Sequence, residues 1–180
     1  MMIEELIACG AHTLLGLGWA GSLQAFAPIG TLLIPAKCIC EEGTSSHYMD
    51  TRAGISPDHS WLKMMQIAAR DEGIEVLSRA QWTTDAPYRE TYAKIETYTG
   101  QGVLGVDMEI SAMYALGQFR GVSVCNLLVV SDELWHDWYP AFGTAELKVA
   151  TAYAQHVILR CLENLLNSRT GSVRRERIYT

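Results

Sequence analysis

The sequence predicts an α/β fold, a central β-sheet flanked by helices, and three observations carry that prediction. First, residues 122–130 are almost all apolar and rich in Val and Leu, the composition of a central strand covered on both faces. Second, residues 102–134 read as a short strand, a carboxylate-bearing turn, a helix and that buried strand, which ends in Ser131, Asp132 and Glu133. Third, residues 145–166 place Leu147, Ala150, Ala154, Val157, Ile158, Cys161, Leu162 and Leu165 on one helical face, suited to covering a sheet.

At 180 residues with 49% apolar composition, the chain is long enough to bury one substantial core. Residues 1–168 are read as a single domain and 169–180 as a basic tail. A net charge of -6 and a pI near 5.3 argue against a nucleic-acid or anionic-membrane surface. Five cysteines, most of them in apolar patterns, fit free thiols in a reducing, cytoplasmic setting. No His or Cys pair has zinc spacing, so no metal is expected. The N-terminus lacks the basic region of a signal peptide, and no apolar run approaches the ~20 residues of a spanning helix.

The remaining elements follow in order. Ile3, Leu6 and Ile7 are at helical spacing and Gly10 is a natural stop, so residues 2–9 form a short helix. Residues 13–17 form a buried strand that runs into a glycine turn, Gly18, Trp19, Ala20, Gly21 and Ser22. There the backbone can approach a ligand closely, or simply turn. Residues 31–40 are a second strand, followed by a polar loop at 41–48, in which His47 reads as a surface or loop-anchoring residue. Ser60 is expected to cap a helix reaching Arg70, with Trp61, Met64, Met65 and Ala68 inward.

Residues 74–82 return as a strand into Thr83, Thr84, Asp85, Ala86, Pro87, Tyr88, Arg89 and Glu90. That mixture of hydroxyls, an acid, a rigid turn and an aromatic either binds a planar ring or caps the helix at 92–99. In an open α/β sheet, ligands bind beyond the carboxyl ends of the strands, where Asp107, Glu109 and Asp132 all fall. The aromatic stretch 135–140 sits at the mouth of that crevice, as a lid, an oligomer contact or ordinary loop packing.

Four of these stretches carry a resemblance. GWAGSLQ (18–24), WTTDAPYRET (82–91), VDMEISA (106–112) and VVSDEL (129–134) resemble, in the right order, motifs of the purine nucleoside and uridine phosphorylase superfamily, which also contains methylthioadenosine and adenosylhomocysteine nucleosidases. The resemblance implies a three-layer sandwich around a mixed central sheet. It also implies a glycosyltransferase that cleaves the N-glycosidic bond of a nucleoside, preferably a purine one, with inorganic phosphate as co-substrate and no cofactor. A phosphate-independent nucleosidase and a non-catalytic nucleoside-binding protein are the alternatives.

By the same resemblance, Asp132 is the acid that assists the departing base, Met108 and Glu109 hold the ribose, Thr84, Asp85 and Tyr88 meet the base, and Gly18 to Gly21 form the phosphate turn. The chain departs from the pattern in three ways. Pro87 stands where purine enzymes stack an aromatic, while Gly16 and Trp19 stand where phosphorylases place an arginine and a hydroxyl. Relatives begin with further strands, so a fold shortened at its N-terminus is expected, with its open sheet edge covered in a homo-oligomer.

Overall fold

The computed structural model describes the backbone of residues 2–52 and 54–176, with side chains as far as Asn167. A short helix α1 (Met2–Ala8) leads into the long strand β1 (Thr13–Ser22), followed by β2 (Leu32–Leu33) and β3 (Lys37–Glu41). Helix α2 (His59–Asp71) precedes β4 (Val76–Leu77) and β5 (Ala80–Thr84), and a 3-10 turn at Pro87–Arg89 enters α3 (Tyr92–Gly100). Then come β6 (Gly105–Asp107), α4 (Ile110–Arg120), β7 (Ser123–Glu133), β8 (Tyr139–Pro140) and α5 (Ala145–Glu176).

The described strands form one mixed sheet in the order β3-β5-β6-β1-β7-β2-β4, with β8 paired to β7. The expected strands at 31–40 and 74–82 are each broken in two. Pro35 donates no backbone hydrogen bond, and the paired segments change direction around it together. They stay joined across the break, because Ile34 N donates to Leu77 O (2.8 Å) and Ala36 N to Arg79 O (2.9 Å). One end of this double segment lies beside β7 and the other beside β6, so the sheet curls instead of lying flat.

Strand β7 is central because both its faces are buried. Cys125, Leu127 and Val129 pack with Trp61, Met65 and Ala68 of α2 and Leu147, Ala154 and Val157 of α5. On the opposite face, Val124, Leu128 and Val130 pack with Ile110, Tyr114 and Ala115 of α4. The period of two along a strand explains why this run is apolar throughout. Burying a side chain of Val or Leu size here contributes roughly 1.5–3 kcal/mol. The buried thiols Cys125 and Cys161 are pushed up to about 12 and about 11 by burial, so they serve as packing groups.

Three expectations are corrected locally. The glycine stretch is no turn: Gly18 to Ser22 continue β1, paired in parallel with β7. Helix α2 is capped by Asp58, whose side chain accepts from Ser60 N and Trp61 N, and not by Ser60. Helix α5 runs to Glu176, past the predicted end at 166 and through the start of the basic tail, whose residues 177–180 lie outside the described residues. No helix among the described residues is long and apolar enough to cross a membrane. From Thr13 to Ala20, the side of β1 away from β7 has no strand partner among the described residues, and residues 13–17, expected as a buried strand, are exposed or half-buried there.

Asp107 joins β6 to α4. Its Oδ1 accepts from Thr83 Oγ1 (3.1 Å), Glu109 N (3.0 Å) and Ile110 N (2.8 Å), satisfying two of the free amides at the helix start. Ser111 N donates to Thr83 Oγ1, which ties β5 to the same corner. Burial pushes the Asp107 carboxyl up to about 6, against the pull of the Ile110 and Glu109 amides.

Two predictions follow from this corner. A β-carbon at Gly105 would stand 2.5 Å from the Gly21 carbonyl oxygen, so Gly105→Ala should lower stability by about 1–3 kcal/mol in urea unfolding; an unchanged midpoint would contradict the tight β6–β1 seam. Asp107 holds its proton longer folded than unfolded, so its stabilisation is present below about pH 4 and is lost as pH rises towards about 6. Relative to Asp107→Asn, whose Oδ1 still accepts, the wild type should lose up to about 3 kcal/mol between pH 4 and 7. Parallel pH profiles for the two proteins would contradict the buried, proton-retaining carboxyl.

Candidate functional site

A cavity of about 630 Å³ opens where the carboxyl ends of β1, β6 and β7 meet. Each strand contributes through a local device. β7 carries one residue more than β1 at this point, since Ala20 pairs with Val130 and Gly21 with Asp132. The bulge at Ser131 re-aims the strand end, so that the carboxylate of Asp132 lies beside Gly21. Gly21 is required by close approach: a β-carbon there would collide with Leu134 and stand 3.2 Å from Asp132 Oδ2. The glycine leaves room for the strand-end carboxylate, where the sequence suggested room for a ligand at a turn.

Of the predicted residues, Trp19, Ala20, Gly21, Tyr88, Met108, Glu109 and Asp132 line this one cavity. Met108 and Glu109 are exposed at the start of α4, delivered by the Asp107 corner. Tyr88 is fully exposed at the rim. Gly18, Thr84 and Asp85 stand outside the lining. Thr84 is buried, its Oγ1 accepting from Ala86 N (3.3 Å), and Asp85 turns away to accept from Gly43 N (3.0 Å). The two acts of Asp85 and Thr84 are therefore loop-holding, and neither caps α3.

The polar loop at 41–48 is likewise structural. Glu41 accepts from Trp82 Nε1, Lys94 Nζ and Tyr98 OH, and Glu42 from Thr44 N, Ser45 N and Ser111 Oγ. Both of its carboxylates are thus bound to the loop itself and to the neighbouring elements.

Asp132 is held on both oxygens. Ser131 Oγ donates to Oδ1 (2.7 Å) and Trp138 Nε1 to Oδ2 (2.9 Å). Trp138 reaches it because β8 folds back antiparallel onto the end of β7, pairing Pro140 with Asp132 and Tyr139 with Glu133. The aromatic stretch is thus a hairpin over the cavity, with Trp138, Tyr139 and Phe142 exposed. Within it, His136 Nε2 lies 2.9 Å from Glu133 Oε2. Trp19 meets Phe142 at 6.1 Å between ring centres, and its Nε1 donates to Thr151 Oγ1 of α5.

Sequence reasoning missed Glu90, Tyr92, Ile95 and Phe142, which complete the lining. Glu90 had one visible signal, an acid directly after an aromatic turn and before a helix. Its carboxyl is pushed up to about 7, first by partial burial and then by the negative charge of Asp132. The ionisable lining is therefore acidic: Glu90, Asp107, Glu109 and Asp132, with His136, and neither lysine nor arginine among the described lining residues. Arg89, in the turn beside Tyr88, is not part of it. Among the described residues no group of three or more His, Cys, Asp or Glu is arranged to hold a metal ion.

Comparison with known proteins places this geometry in a family. The chain is 28% identical over 132 residues to the guanosine phosphorylase of Halorubrum lacusprofundi, covering 73% of this chain and 55% of that protein. It is 27% identical over 136 residues to a DeoD-type purine nucleoside phosphorylase of Bacillus cereus, covering 74% and 57%. The chain thus spans about half the length of these relatives. Among solved structures, the purine nucleoside phosphorylase of Toxoplasma gondii in complex with immucillin-H superposes with a TM-score of 0.84 at 25% identity, covering 93% of this chain and 69% of that one. The AMP nucleosidase of Bacteroides thetaiotaomicron shares the fold, with a TM-score of 0.70 at 22% identity over 88% of this chain and 63% of that one. The sequence profile of the phosphorylase superfamily matches residues 1–163, and the chain, with its curled mixed sheet flanked by helices, belongs to that superfamily.

Proposed function

We propose that this cavity binds a nucleoside, preferably a purine nucleoside, and cleaves its N-glycosidic bond. The observation that carries the reading is the convergence of Glu109, at the β6–α4 junction, and Asp132, at the bulged end of β7, on one cavity at the strand ends. When the bond between the sugar carbon and the base nitrogen breaks, the electron pair leaves with the base. Asp132, the acid at the strand end, protonates or hydrogen-bonds a ring nitrogen as the bond breaks and so stabilises that leaving group. The sugar becomes oxocarbenium-like, and its hydroxyls donate charge-assisted hydrogen bonds to the Glu109 carboxylate while Met108 packs against the ring. Tyr88, at the rim, stacks on or covers the base in place of the aromatic absent at Pro87.

Inorganic phosphate is the nucleophile in the first reading, in line with relatives that are named phosphorylases. The product is then ribose 1-phosphate and free base. A phosphate dianion is normally held by guanidinium or ammonium groups together with hydroxyls and backbone amides, and the described lining, with four carboxyls, has neither lysine nor arginine. A second copy of this chain, seated on the open edge of β1 or on the exposed aromatic rim, would supply the missing cation under this reading. That same acidic lining favours a second reading in which water attacks and the reaction is hydrolysis.

Release of base from inosine, guanosine, adenosine, uridine and methylthioadenosine, measured with and without phosphate, tests the proposal. Purine nucleosides should be cleaved, and Asp132→Asn should reduce kcat by ~100-fold or more, the scale of a lost general acid. Glu109→Ala should reduce kcat/KM by roughly 10- to 100-fold, the value of hydrogen bonds to a charged group. A dependence on phosphate selects phosphorolysis, and turnover without phosphate selects hydrolysis. A folded protein that releases no base from any of the panel overturns the reading.

A further inference from the structure

Glu90 stands in the cavity without a stated task. It follows the 3-10 turn, is partly buried, lines the cavity with Asp132, and its carboxyl accepts no hydrogen bond from any described residue. A carboxyl drawn partly out of water beside another acid, with no donor to stabilise its charge, keeps its proton to higher pH and stays free to donate to or accept from a ligand. Asp132 already has an assignment under the proposed function, a ring nitrogen of the base. On a purine, the acceptor nitrogen N7 has two in-plane neighbours. One is a carbon with a hydrogen, and the other is the 6-position, which bears an oxygen acceptor in hypoxanthine and guanine and an amino donor in adenine.

We infer that Asp132 and Glu90 together read the N7 and 6-position edge of the base, Asp132 at N7 and Glu90 at the 6-substituent. Resting on the nucleoside reading, this makes Glu90 the residue that chooses between 6-oxo and 6-amino purines, and its proton is the selector. The protonated carboxyl donates to the 6-oxygen, and the ionised carboxylate accepts from the 6-amino group. No bond forms or breaks at Glu90 itself.

The other ionisable groups that face the cavity are Asp132 from β7, Asp107 and Glu109 from the β6–α4 junction, Tyr92 from α3, Tyr88 from the turn and His136 from the hairpin. Partial burial first, and then the charge of Asp132, alone among these groups, hold the Glu90 proton to about neutral pH.

Two measurements on the wild-type chain and two variants test this. Carboxyl carbon NMR without nucleoside should show Glu90 titrating near pH 7, and Asp132→Asn should move that midpoint down. The ratio of kcat/KM for inosine over adenosine should fall by on the order of 100-fold between pH 6 and pH 8. In Glu90→Gln, whose amide offers both a donor and an acceptor at every pH, the ratio should be flat. Base release with a ratio independent of pH in the wild type, or a Glu90 that titrates in the ordinary carboxylate range, overturns the selector while leaving nucleoside cleavage in place. No release of either base at any pH overturns both, and the NMR midpoint then shows only that the two carboxyls are coupled.

Discussion

The parallel ladder between β1 and β7, and the single irregularity within it, is the constraint on which the rest of the structure depends. Along this ladder β7 is buried almost throughout, covered by α2 and α5 on one face and by α4 on the other, whereas β1 is buried only from Ala20 to Ser22. The ladder holds from Thr13 opposite Ser123 to Ser22 opposite Glu133. Its register slips once, at Ser131, and that slip turns an interior strand into the wall of a cavity. Asp132 faces the cavity because of it, Gly21 is glycine because of it, and β8 returns to the strand end that it creates.

Charge is the second theme. Proteins rarely gather carboxyls in a shared concavity without cations, because each ionised group raises the energy of the next. This chain manages its acids in three ways. Asp107 is spent on backbone amides and Thr83, Asp132 is bridged by Ser131 and Trp138, and Glu109 remains in solvent. Glu90 has none of these outlets, and partial burial followed by the charge of Asp132 pushes its carboxyl up to about 7. Under the proposed nucleoside reading, the hydroxyls of a ribose would bring hydrogen-bond donors to such a site.

Much of this was legible in the residues. The apolar run at 122–130 announced a two-faced central strand, and the acids at 107, 109 and 132 fell at strand ends, where α/β sheets place ligands. What sequence periodicity could not show was tertiary geometry. The glycines at 18 and 21 looked like a turn because nothing in the local sequence reveals that Leu134 and Asp132 approach Gly21 from another strand. The strands at 31–40 and 74–82 looked continuous because their break lies in how the sheet curls around Pro35. Asp58 outcompeted Ser60 as a cap because its carboxylate reaches two amides and Ser123 at once. Thr84 and Asp85 belonged by motif to the base, yet their hydrogen bonds go to Ala86 and Gly43. Glu90 followed an aromatic turn, but its neighbour Asp132 is distant in sequence, so their shared cavity could not be read from the local pattern.

The most direct measurement is a crystal structure of the Asp132→Asn variant, in which turnover is suppressed, soaked with inosine. The expected result is a nucleoside in the cavity at the ends of β1, β6 and β7, with ribose hydroxyls within hydrogen-bond distance of Glu109 and the N7 edge of the base at residue 132. A nucleoside lodged elsewhere, or this cavity empty at millimolar inosine in a crystal form that leaves its mouth open, would contradict the assignment of the site.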